Sequence, residues 1–137
     1  MNVLVDTSVW SLALRRGRPK NAGPVQELQD MISARRVLMI GPIRQEILSG
    51  IREETQFRAL EAQLAAFPDL LMETEDYVTA ARFFNLCRRQ GVQGSNTDFL
   101  ICAVAFRNRS AIFTTDEDFT SFASHLPITL HHYQRDE

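Results

Sequence analysis

The chain has 137 residues, with 15 basic against 17 acidic side chains and a formal net charge of −2. Its 45% apolar and 23% charged content is ordinary for a globular domain and excludes chain-wide disorder. The charge balance excludes nucleic-acid binding by bulk positive charge, but not through a local basic surface.

A single domain spanning residues 1–137 is expected, long enough to bury one sizeable core. All basic residues but Lys20 are Arg, the fork-shaped donor suited to phosphate and carboxylate, although a bias in codon usage gives the same skew. Cys87 and Cys102 stand in no CxxC and no Cys/His cluster, which argues against a zinc site and fits two buried thiols in a reducing compartment. No apolar run approaches the roughly 18 residues of a membrane span, and the N-terminus leads straight into a strand, so a cytoplasmic protein is expected.

The first expected element is a buried strand at Asn2–Val5 (NVLV), closed by Asp6. Thr7 or Ser8 caps a short helix, and Arg15–Gly23 reads as a loop. Pro24 opens a helix to about Ala34. A second strand, Val37–Ile40, precedes a helix from Pro42 that Gly50 stops. An amphipathic helix runs over Glu53–Phe67, and Leu70–Met72 is a candidate short strand. The next helix, Glu75–Arg89, is expected to turn Tyr77, Val78, Ala81, Phe84 and Leu86 inward. Ser95–Asn108 is a mostly apolar, buried helix; Ala111–Thr114 is a strand; Phe119–Ser124 is a short helix; Ile128–Leu130 is a last strand. Apolar strands alternating with helices define an α/β class: three layers, α/β/α, around a mainly parallel sheet of four to five strands.

In such a sheet, function gathers outside the carboxyl ends of the strands. Asp6 directly follows the first strand, and Asp116 follows the AIFT strand after one residue. Glu46 lies in the helix after the second strand, and Asp98 in the first turn of the most apolar helix. Each has a structural alternative. Asp6 fits a helix cap, Ser95-x-x-Asp98 a capping box, Glu46 a solvated helix residue and Asp116 a turn residue. Together, four buried or half-buried carboxylates repel one another and are costly to desolvate. A divalent cation accounts for them economically, and oxygen-only ligands suit Mg²⁺ or Mn²⁺.

Four segments carry a resemblance: VDTSVW around Asp6, GPIRQEILSG around Glu46, SNTDFLICAVA around Asp98 and FTTDEDF around Asp116. In order and approximate spacing they resemble PIN-domain ribonucleases, specifically the VapC-like toxins of type II toxin–antitoxin pairs. The resemblance covers roughly Val3 to Leu130. It departs at Cys102, where a small residue such as Ala is expected, away from the acids' chemistry. The resemblance implies a PIN-like fold and an endoribonuclease dependent on Mg²⁺ or Mn²⁺, often a homodimer, held inactive by a small antitoxin. By motif match, Asp6, Asp98 and Asp116 carry the metal, and Glu46 completes the site directly or through water. Ser8, Thr114 and Asp118 are supporting candidates; Asp118 fits equally well as a solvated acid.

No histidine is required for such metal chemistry, and His125, His131 and His132 all lie near the C-terminus, where they read as surface or edge residues. An acidic pocket repels RNA. Arg15, Arg16, Arg18 and Lys20 form a cationic loop suited to gripping the phosphate backbone, or to an acidic antitoxin tail. Phe57, Leu60, Leu64, Phe67, Tyr77, Phe83 and Phe84 form apolar surface suited either to the core or to pairing with a second copy. The alternative from another class is a catalytically silent PIN-like module that binds RNA or a protein. Neither GxxxxGK nor GxGxxG occurs, which sets aside the common nucleotide-binding folds.

Overall fold

A computed structural model describes residues 1–14 and 22–133. In chain order its elements are β1 (Val3–Val5), α1 (Thr7–Leu14), α2 (Ala22–Ser33), β2 (Val37–Leu38), α3 (Gly41–Leu48) and α4 (Glu54–Leu64). Then follow α5 (Thr74–Arg89), α6 (Asn96–Asn108), β3 (Ala111–Phe113) and α7 (Asp118–Ala123). The cationic loop Arg15–Lys20 lies outside the described residues.

The sheet has the order β2-β1-β3, all parallel. Val3, Leu4 and Val5 point alternately to the two faces, yet all are buried, so both faces of the central strand are covered. This is the expected α/β/α arrangement with a parallel sheet. It is narrower than four or five full strands: the chain makes only single bridges there, Met39 with Asp69, just before the expected Leu70–Met72 strand, and Ile112 with Leu130 in the expected Ile128–Leu130 strand. Pro68 and Pro127 each stand just before these segments and lack the N–H that a longer ladder needs.

β1 and β3 pair with Val5 opposite Phe113. That register makes Asp6 and Thr114 neighbours, and the Asp6 N–H donates to the Phe113 carbonyl at 2.9 Å. Helix α6 passes behind β1 and β3, with Phe99 and Ile101–Ala105 all buried. Helix α5 packs on α6 through Phe83–Phe106 and Phe84–Phe99 edge contacts with ring centroids 5.9 and 5.6 Å apart.

The inward face of α5 differs from the expected one. The buried positions are Asp76, Ala80, Phe83 and Cys87; Tyr77, Val78 and Ala81 are exposed, and Phe84 and Leu86 are half-buried. The apolar stripe was a misleading guide because a carboxylate leads the buried face. Asp76 is 1% exposed and accepts from Arg107 of α6 at 2.6 and 2.9 Å, so a paired charge stands at the head of the buried face. Of the remaining apolar set, Leu64 is buried, and Phe57, Leu60 and Phe67 are half-buried.

Candidate active site

Asp6 leaves the carboxyl end of β1 and takes the N-cap position of α1: its carbonyl accepts from the N–H groups of Val9 and Trp10. Its side chain is 5% exposed. One oxygen, Oδ2, accepts from the Ser8 hydroxyl at 2.8 Å and the Thr114 hydroxyl at 2.8 Å. Those hydroxyls are themselves placed by backbone. The Thr115 N–H donates to Ser8 Oγ at 3.0 Å, and the Asp116 N–H donates to Thr114 Oγ1 at 3.0 Å. A relay thus runs from the turn after β3 through two hydroxyls to Asp6.

Asp98 stands at the third helical position of α6. The Ser95 hydroxyl accepts from the Asp98 N–H at 3.1 Å, and the Ser95 N–H donates to Asp98 Oδ2 at 3.0 Å, a complete capping box. Burial pushes the Asp98 carboxyl above its ordinary range; the charges of Asp6 and Asp116 push the same way, against the two Ser95 hydrogen bonds. That mutual repulsion is the electrostatic sign that Asp6, Asp98 and Asp116 share one neighbourhood.

Asp116, half-buried, accepts at Oδ1 from the Asp118 N–H at 2.9 Å. Asp118 contributes its backbone; its side chain is exposed at the start of α7. Glu46 stands apart. It is exposed rather than half-buried, because it lies on the solvent face of α3 while Ile43 and Ile47 take the core. Its link to the site is the Thr7 hydroxyl, which donates to Glu46 Oε1 at 2.5 Å. Arg44 is engaged elsewhere: with Asp69 at 3.0 Å, and with the carbonyls of Leu64 and Phe67.

The structural alternatives are therefore realised, but each uses only half of a carboxylate. Oδ1 of Asp6, Oε2 of Glu46, Oδ1 of Asp98 and Oδ2 of Asp116 have no hydrogen-bond partner among the described residues. Oxygen-only donors with one free atom apiece, and a carboxyl destabilised by its neighbours' charge, fit a hard divalent cation. As they stand, no three Asp, Glu, His or Cys side chains among the described residues are gathered tightly enough to hold an ion.

Two features escaped the sequence. Thr7 reads as a helix cap but serves as the donor to Glu46, a contact 39 residues away that no local pattern encodes. Cys102, expected to lie away from the acids, follows Asp98 by one helical turn, fully buried. Burial first, then the Asp98 charge, pushes its thiol far up, with Asp6 also contributing. It is a neutral wall behind the acids.

The sheet order and the acids at its carboxyl edge define an α/β domain with a carboxylate site. The PIN domain family model matches residues 3–124. Ribonuclease VapC11 of Mycobacterium tuberculosis is 33% identical over 123 residues, covering 88% of this chain and 91% of that protein. FitAcB from Neisseria gonorrhoeae superposes with a TM-score of 0.76 at 18% identity, covering 95% of this chain and 96% of the other. VapBC-5 from M. tuberculosis, a member of the VapBC family of toxin–antitoxin systems, superposes at 0.65 with 18% identity, covering 95% and 98%. The chain belongs to the PIN-domain family and, within it, to the VapC ribonucleases. Among the described residues no helix is long and apolar enough to cross a membrane.

Proposed function

We propose that the chain is a metal-dependent endoribonuclease, the toxin of a toxin–antitoxin pair, cleaving RNA phosphodiester bonds at the acids of β1, α6 and the β3–α7 turn. The observation that carries this reading is the pairing of one held with one unpartnered oxygen on each of Asp6, Glu46, Asp98 and Asp116. Asp6, Asp98 and Asp116 would hold Mg²⁺ or Mn²⁺, with Glu46 completing the set directly or through water. When bound, such a cation lowers the pKa of its water, polarises the phosphoryl oxygen and neutralises the leaving oxygen. The chain's own part is orientation. Ser8 and Thr114 fix the Asp6 carboxylate by one oxygen, the Asp118 amide fixes Asp116, and Ser95 fixes Asp98. Arg15, Arg16, Arg18 and Lys20 would supply the positive charge that an acidic site lacks for binding phosphates. The likeness to proteins of the VapBC toxin–antitoxin family supports a small cognate antitoxin as partner, and the exposed apolar face of α5 at Tyr77 and Val78 is surface that a second copy would cover.

The test is cleavage of a mixed RNA pool by the purified chain with Mg²⁺, with Mn²⁺ and with a chelator. Cleavage with either metal, abolished by the chelator and by Asp98→Asn or Asp116→Asn, is the expected result. Mg²⁺ should also raise the melting temperature of the wild type but not of Asp98→Asn. Cleavage that survives both substitutions would remove these acids from the chemistry.

A further inference from the structure

We propose that a cleft beside the acids receives one base of the RNA strand and thereby selects the nucleotide next to the cut. The inference rests on the ribonuclease reading above. The cleft lies between the turn after β3 and the segment that follows Leu130, and its volume is about 170 Å³. That is below the roughly 300–1,000 Å³ typical of small-molecule pockets and suits a single ring system. Thr114 and Asp116 line it, and both belong to the acid site; a strand crossing the acids therefore passes the mouth of this cleft.

The opposite wall is aromatic and held still. His131 Nε2 lies 2.6 Å from Glu27 Oε2 of α2, and the His131 backbone N–H donates to the Ile112 carbonyl at 2.7 Å. Its ring stands 5.3 Å from Phe113, and the Tyr133 ring 5.2 Å from the same fully buried Phe113. A base stacking on rings already fixed loses little to their ordering. The rest of the lining decides which part of a nucleotide enters. Asp116 and Glu117 repel a phosphate, whereas carboxylate and hydroxyl oxygens accept the amino and imino N–H groups of a base edge. Thr120 and His132, both exposed on the rim, add a hydroxyl and an imidazole for edge contacts. The cleft thus takes a base rather than the backbone.

The experiment uses the full chain and single-stranded RNA hexamers randomised at their central positions, with cut sites read by sequencing. Thr120→Ala, His132→Ala and their combination alter only exposed rim groups, and melting temperatures check that folding is unchanged. The wild type should show a base preference at one position beside the cut. The combined variant should lose about tenfold on the preferred base, the scale of a lost base contact, and little on the others. An identical preference profile in the wild type and the combined variant, or no preference in the wild type, overturns the proposal. Should the wild type cut neither the hexamers nor the mixed RNA pool, the ribonuclease reading fails on its own. The cleft is then judged by fluorescence anisotropy of labelled hexamers, where an unchanged ranking of bases in the combined variant overturns it.

Discussion

Replacing Asp76 with Asn tests how α5 holds α6, the helix that carries Asp98 in its first turn. Asp76 is 1% exposed; Oδ1 accepts from Arg107 Nε at 2.6 Å and Oδ2 from Nη2 at 2.9 Å, a two-pronged pair. Oδ2 also accepts from the Glu73 N–H at 2.8 Å, closing the first turn of α5. Removing one partner of a buried pair costs about 3–5 kcal/mol. Here a quarter of the Arg107 side chain remains exposed and still donates to the Leu71 carbonyl, so the orphaned guanidinium reaches water and the lower end applies. The expected loss is about 3 kcal/mol, which in a chain of this length lowers the melting temperature by about 10 °C. Burial alone would raise the Asp76 carboxyl; the Arg107 hydrogen bonds and charge, with the Glu73 N–H, outweigh it and hold the group below 3.8. A carboxyl depressed in the fold contributes stability above its ordinary value and loses that contribution as pH falls through its folded value. The gap between wild type and Asp76→Asn should therefore narrow as acid is added below the ordinary carboxylate range. Melting followed by circular dichroism across a pH series measures both. A loss under about 1 kcal/mol at neutral pH, or a gap that acid leaves unchanged, would refute the reasoning.

Gly94 stands where a Cβ would meet Phe122 Cζ at 2.6 Å and Phe99 Cε2 at 3.0 Å, so Gly94→Ala should lower stability by about 1–3 kcal/mol in thermal melts. Because Gly94 precedes the Ser95 cap, the same change should weaken RNA cleavage more than the melting shift alone explains. Thr114→Val removes a donor to Asp6 and the acceptor of the Asp116 N–H, and should cut turnover about 10- to 100-fold with the fold retained. Ser8→Ala should act in the same direction, and the double variant should lose less than the product of the two, since both hydroxyls serve one oxygen.

The order of the elements was legible because β1 and β3 are short apolar runs and the helix boundaries carry ordinary punctuation: Pro42 opening α3, Ser95 capping α6, Gly91 closing α5 at φ +77°. The positions of Asp6, Asp98 and Asp116 follow the same pattern, after a strand or in the first turn of a helix, whereas Glu46 lies late in α3. What escaped were contacts decided by tertiary packing. The inward face of α5 is set by Asp76 meeting Arg107, 31 residues away, and a lone Asp in an amphipathic stripe gives no sign of such a partner. The exposure of Glu46 depends on where α3 lies against the sheet, which the spacing of Ile43 and Ile47 hinted at but did not fix.

The register of β3 against β1 is what makes the site. Strand β3 spans only Ala111–Phe113, so little besides the opposition of Val5 and Phe113 determines which hydroxyl reaches Asp6. A slip by one residue would carry Thr114 to the opposite face and bring Thr115 in its place. The Thr114 hydroxyl would then no longer link the Asp116 amide to the Asp6 carboxylate. The slip is opposed by the core: Ile112 and Phe113 are fully buried, and the same shift would turn their side chains to the wrong faces. The placement of Asp6 and Thr114 is thus set by the apolar strands that they follow. Asp6 ties Ser8 and Thr114 together through Oδ2 alone, and its Oδ1 has no hydrogen-bond partner among the described residues.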